Sequence, residues 1–352
     1  MQHKYFAAAN SSEGFKSYFG DVFGDVELLY IIKGGPGTGK SSFMKRLALE
    51  AGRRSQEVEY YLCSSDPESV DGVLISSEGR RIGILDGTSP HTYEPTYPAA
   101  REEILNFGDF WRSDIIRAQK NEIFALTNKK STAYKRAYSY LRSCGNLSAV
   151  IDSLVRQATD FSKLMSVSER AAASLDLEKG ELKTRPALIS GVTMLGESRL
   201  DSFEKNAESL WLVGDFYGVG KWFLDSVLGF LKGYEAKARV SCDPINTNRT
   251  NGIFIEKINT AFVLSEGQEE NVTDENTHFI NPRRFIRTEK LREVRAELRY
   301  ANKLYKECLS GALHALNEAR VYHFLLEDIY KNAMDFAALN DFTSEFSAKM
   351  LK

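Results

Sequence analysis

The chain has 352 residues, 43% hydrophobic and 27% charged, with a formal net charge of −2. That length exceeds one ordinary core and suits two domains of about 175 residues, while the near-neutral charge excludes a global field for nucleic acid or an anionic membrane, and no apolar run reaches the roughly 20 residues of a membrane-spanning helix. Met1-Gln2-His3-Lys4-Tyr5 lacks the apolar core of a signal peptide, and the four dispersed cysteines, Cys63, Cys144, Cys242 and Cys308, form no C-x-x-C pair, so the expectation is a reducing cytoplasm and no structural zinc.

In chain order, the first predicted strand is Leu28-Leu29-Tyr30-Ile31-Ile32. It runs into Gly34-Gly35-Pro36-Gly37-Thr38-Gly39-Lys40-Ser41, which spells the phosphate-binding loop G-x-x-x-x-G-K-[ST]. A helix-forming run from Ser42 to Glu50 follows. The residue types suit the chemistry: glycines let successive N–H groups converge on phosphate oxygens, and the helix N-terminus adds positive potential. Lys40 is expected to reach the β- and γ-phosphates of ATP, and the Ser41 hydroxyl to bind Mg²⁺. Ser42 completes the binding segment.

A second strand through Tyr61-Leu62 leads to Cys63-Ser64-Ser65-Asp66-Pro67, where Asp66 is either a catalytic acid or an Asx turn before proline. The strand Arg81-Ile82-Gly83-Ile84-Leu85 ends in Asp86, the expected carboxylate on the metal side. His91 is a weaker candidate, as a polar sensor of the γ-phosphate. Asn128-Lys129-Lys130-Ser131 only faintly matches a guanine-reading motif, lacks its aspartate and lies in a helical run. Residues 111–142 contain neither Gly nor Pro and carry apolar residues at helical spacing; Cys144-Gly145-Asn146 is expected to turn the chain into another helix. The polar stretch 177–186, with Gly and Pro, reads as a linker.

Beyond it the landmarks return in order. Leu210-Trp211-Leu212-Val213 precedes Gly218-Val219-Gly220-Lys221, and Cys242-Asp243-Pro244 matches Cys63 to Pro67. Thr260-Ala261-Phe262-Val263-Leu264 ends in Ser265-Glu266, and Ala333-Met334-Asp335-Phe336 matches Ala158-Thr159-Asp160-Phe161. The second loop reads as degenerate. Asp215 stands where the first glycine belongs, and Trp222 replaces the metal-binding hydroxyl. Helices over 291–319 and 321–336 are expected to repeat the first pair, the longest reaching about 45 Å.

Taken together, Gly34 to Ser41, Cys63-Ser64-Ser65-Asp66-Pro67, Asp86-Gly87-Thr88-Ser89-Pro90-His91, Phe107-Gly108-Asp109-Phe110-Trp111 and Tyr134-Lys135-Arg136-Ala137-Tyr138 resemble the bacterial family of tandem P-loop ATPases of unassigned physiological role, over nearly the whole chain. The resemblance implies ATP binding and a P-loop fold with helical insertions, and supplies no substrate. The chain departs from the family pattern at Asp215 and Trp222.

The expected fold is therefore α/β: two tandem P-loop NTPase domains, residues 1–178 and 179–352, each a mostly parallel sheet flanked by helices with a helical extension. The expected function is Mg²⁺-dependent ATP binding and hydrolysis in the first half, with one ATP per chain. The alternatives are a small-molecule or nucleotide kinase, or a nucleotide-gated protein whose helical arms hold a partner protein.

Overall fold

The computed structural model describes residues 3–77, 79–265 and 275–351. Successive side chains of a strand face opposite ways, and the central strands are apolar on both faces. In Leu28–Lys33, Leu29 and Ile31 join one core, while Tyr30 and Ile32 join another. Each sheet therefore needs cover on both sides.

The first sheet has six strands in the order His3–Phe6, Glu57–Leu62, Val70–Ser77, Arg80–Asp86, Leu28–Lys33, Glu102–Asn106. The second has six in the equivalent order Leu182–Pro186, Ala236–Cys242, Thr250–Ile255, Thr260–Ser265, Ser209–Gly214, Thr277–Ile280. The pairings also repeat: parallel, antiparallel, antiparallel, parallel, parallel. Both sheets are thus mixed, because Val70–Ser77 and Thr250–Ile255 return through short connections, which only antiparallel neighbours permit. Part of the expected linker is in fact the edge strand Leu182–Pro186, whose proline occupies the last paired position, as an edge strand allows.

The two sheets face one another across a shared core. Tyr5, Phe19, Phe23, Leu29 and Ile31 from the first half pack with Ala187, Ile189, Phe203, Phe254 and Val263 from the second. Two antiparallel hairpins, Ala8–Ser11 with Gly14–Ser17 and Ser190–Thr193 with Gly196–Arg199, extend the repeat.

The helices differ from expectation in length and in partner. Lys120–Ala158 is one helix of 39 residues and Thr288–Lys331 one of 44, about 58 and 66 Å long. The expected turn at Cys144-Gly145-Asn146 and the break near residue 320 are absent. Ala133, Ala137, Leu141 and Cys144 pack against Leu309, Ala312, Leu316 and Ala319, so each long helix covers the apolar stripe of the other.

Beyond these helices the chain crosses between halves. Phe161–Ala173 packs on the second half through Phe161, Leu164 and Val167 against Trp222, Phe223 and Val227. Phe336–Met350 packs on the first half through Leu339, Phe342 and Phe346 against Phe43, Met44 and Leu47. The crossings match: Asp160 N donates to Phe285 O and Asp335 N to Phe110 O, both at 2.7 Å. The Asp160 and Asp335 side chains cap the helices that follow, accepting from Lys163 N and Ala338 N, which gives the repeated sequence landmark its physical role. Among the described residues no helix is long and apolar enough to cross a membrane.

Candidate functional site

The glycine-rich loop leaves the end of Leu28–Lys33 and enters the helix Lys40–Arg53. Gly37 and Gly39 have φ of 68° and 88°, a left-handed conformation that glycine adopts without strain. Thr38 Oγ1 donates to Gly35 O at 2.9 Å and holds the turn. Pro36 is half-buried in the loop, while Ser42 is exposed on the first helical turn.

Lys40 turns back over the loop. Its Nζ donates to Gly34 O at 3.1 Å and to Gly35 O at 2.6 Å, and lies 3.5 Å from Asp86 Oδ2. Strand register brings this about, because Ile32 pairs with Asp86. Asp86 Oδ1 accepts from Thr88 N at 2.9 Å and Thr88 Oγ1 at 2.5 Å, which fixes the carboxylate. Ser41 Oγ accepts from Val70 N at 2.9 Å, tying the helix start to the neighbouring strand.

Asp66 is half-buried, and its Oδ1 accepts from Glu68 N at 3.2 Å in an Asx turn. Burial raises its pKa, and it feels His323 and Glu327 of the second long helix. His91 is deeply buried against Phe15 and Phe19, with Nε2 2.8 Å from Asp71 Oδ2. Burial disfavours the imidazolium, but Asp71 outweighs it and the His91 pKa is raised. Burial likewise opposes ionisation of Asp71, yet His91 holds its pKa below the ordinary value. Cys63 joins this pair; one ligand atom from each of Cys63, Asp71 and His91 lies within 4.8 Å of the others. Cysteine spacing gave no sign of that cluster, because its members come from three separate segments.

Sequence reasoning also missed the lid. A Cβ added at Gly37 would stand 2.6 Å from Glu327 O, and one at Gly35 would stand 2.7 Å from the Tyr330 ring. Glu327 also pairs with His323 at 3.3 Å and Lys331 at 2.8 Å. The second half therefore roofs the first loop. From the first long helix comes Lys130, whose pKa is lowered by burial and then by the charge of Lys40, with Glu327 opposing. Lys130 belongs to the segment that the guanine-motif comparison set aside. Glu327 and Tyr330 carried no local signal.

The second loop is closed on itself. Lys221 Nζ donates to Asp243 Oδ2 at 2.5 Å, and Asp215 Oδ1 accepts from Gly220 N at 3.1 Å. Burial works against the Lys221 charge, but Asp243 and Asp215 outweigh it and its pKa is raised. Trp222 is buried, 5.2 Å from the Phe161 ring and 5.3 Å beneath the Arg156 guanidinium, so it serves as core under the crossing helix. Val213 pairs with Leu264 where Ile32 pairs with Asp86, so the register puts an apolar residue at the acid's position. Glu266, the expected displaced acid, lies outside the described residues. Compared with protein-family models, with curated proteins and with solved structures, the chain has no match in any of the three.

Proposed function

We propose that the first half is a P-loop site that binds ATP with Mg²⁺ and hydrolyses it, as the resemblance to tandem P-loop ATPases implies. The observation that carries this reading is the pairing of Lys40 with Asp86 at 3.5 Å across a glycine-rich turn that opens a helix. The donor set fits a magnesium nucleotide: an ammonium for phosphate, and the Ser41 hydroxyl and Asp86 carboxylate for the metal shell. Bound Mg²⁺ neutralises charge on the β- and γ-phosphates. The chain's own part is to orient the phosphates with loop amides, counter their charge with Lys40, and exclude water beneath Glu327 and Tyr330.

A second reading, nucleotide-gated binding of a partner protein to the helical arms, is favoured by the same roof. Phosphates entering against Gly35 and Gly37 meet Tyr330 and Glu327, so nucleotide and the long helix are mechanically linked.

The test uses two variants. Lys40→Ala is expected to weaken ATP binding about 10- to 100-fold, the range for a hydrogen bond to a charged group, with the circular dichroism spectrum unchanged. Asp86→Asn is expected to keep nucleotide affinity and slow single-turnover hydrolysis at saturating ATP. Wild-type affinity in Lys40→Ala removes that lysine from the site, and a wild-type rate in Asp86→Asn assigns the metal to another acid.

A further inference from the structure

A cavity of about 480 Å³ lies over the second loop. That volume is ordinary for a small-molecule site. Its wall combines the loop residues Asp215, Phe216, Tyr217 and Lys221 with both long helices, which contribute Asp152, Tyr305 and Lys306. Four cations line it, and two are already balanced. Lys221 pairs with Asp243, while Arg249 pairs with Asp152 at 2.8 Å and Asp225 at 3.1 Å. Arg283 and Lys306 have no ion pair among the described residues; the Arg283 guanidinium lies instead 4.4 Å over the Phe216 ring.

Three properties narrow the ligand. Trp222 and Leu264 stand where the hydroxyl and the carboxylate of the first loop stand, so among the described residues the wall lacks that metal-side pair. Two free positive charges match one phosphate monoester better than a triphosphate. Phe216, Tyr217 and Tyr305 present aromatic surface beside them, suited to a planar ring.

We propose that the second half is a metal-independent site for a small phosphate monoester carrying an aromatic ring, of the nucleoside monophosphate class. Arg283 and Lys306 bind the phosphate and the aromatic side chains hold the ring. The degenerate loop is then a remodelled site, its lysine used to fix Asp243 and its amide to fix Asp215. This inference stands whatever the first loop binds.

Calorimetric titration of the full chain with AMP, GMP and UMP in EDTA tests it, using wild type, Lys40→Ala and the double variant Arg283→Ala/Lys306→Ala. Both substituted residues are exposed, so folding is not at issue. The expected result is saturable binding of at least one monophosphate, equal in wild type and Lys40→Ala and weakened about tenfold or more in the double variant. Absence of saturable binding in wild type, binding lost in Lys40→Ala, or full affinity in the double variant overturns the site. Ribose 5-phosphate binding as tightly as the best nucleotide overturns the role of the ring, and adenosine doing so overturns that of the phosphate.

Discussion

At the scale of single residues, Lys130 feels the positive charge of Lys40. Burial and the Lys40 charge lower the Lys130 pKa, and under the proposed ATP reading the negative charge of a bound phosphate would counter the second of these. Lys130→Ala is therefore expected to weaken ATP binding about tenfold, with Lys130→Arg near wild type, as read by titration calorimetry. Equal affinity in wild type and Lys130→Ala would remove Lys130 from the site. The buried His91–Asp71 pair gives a pH signature. The His91 pKa is raised in the fold, so its contribution is complete below about pH 6.5 and is lost as pH rises through the folded value. The Asp71 pKa is depressed, so its share is present above about pH 3.9 and lost as pH falls through its folded value. The stability advantage of wild type over His91→Gln is expected to peak between these limits and to shrink toward alkaline pH. Urea midpoints across that range measure it, and a gap independent of pH refutes the ion pair. His91 was legible only as a polar loop residue, because its partner lies twenty positions earlier on another strand.

At the scale of elements, Gly145 shows why the long helices were misread. Glycine inside a helix costs about 1 kcal/mol relative to alanine, so a Cys-Gly-Asn run reads as a stop. Here the hairpin of the first half comes so close that a Cβ on Gly145 would stand 2.5 Å from Ser12 Cβ. Ser12 is itself anchored, its N and Oγ donating to Ile245 O at 3.0 and 2.8 Å. Gly145→Ala therefore sets a helix gain of about 1 kcal/mol against overpacking of about 1–3 kcal/mol. Because Ser12 is tied to the second half, a net loss is expected, read as a lower urea midpoint with an unchanged slope. A more stable variant would show that the hairpin yields freely. Strands and helices themselves were legible where local pattern decides, as in Leu28 to Ile32 and the Lys40 helix, whereas Asp160 and Asp335 read only as a repeated landmark and prove to cap new helices.

At the scale of the whole molecule, a buried charge cluster joins the halves. Glu59 accepts from Arg185 at 2.7 and 2.9 Å and from Tyr61 at 2.6 Å, and lies 3.0 Å from Arg239, whose guanidinium also reaches Glu256 at 2.8 Å. Glu59 belongs to the first sheet and both arginines to the second. Burial opposes its ionisation, but Arg239 and Arg185 hold its pKa below the ordinary carboxylate value. Glu59→Gln keeps the shape but removes the charge that half-buried Arg185 and buried Arg239 share, while Arg239 keeps Glu256, so a loss of about 1.5–3 kcal/mol is expected. Chemical denaturation checks it, and a loss below about 1 kcal/mol would mark the cluster as solvated.

The sequence by itself determined the repeat, the α/β character, the glycine-rich loop with Lys40, and the strand that ends in Asp86. These follow from short-range pattern: hydrophobic runs, turn residues, and the spacing of one lysine from two glycines. Only the tertiary structure decided that the terminal helices cross between halves, that Glu327 and Tyr330 roof the first loop, and that Cys63, Asp71 and His91 meet. It also turned Asp215 and Trp222, read as losses, into a carboxylate that satisfies a loop amide and a core side chain beneath a crossing helix. For the crossing helices and the roof the physical reason is that an apolar stripe announces that it must be covered, but its periodicity does not say which half of the chain covers it; polar contacts such as those of Cys63, Asp71 and His91 have no periodic signal at all.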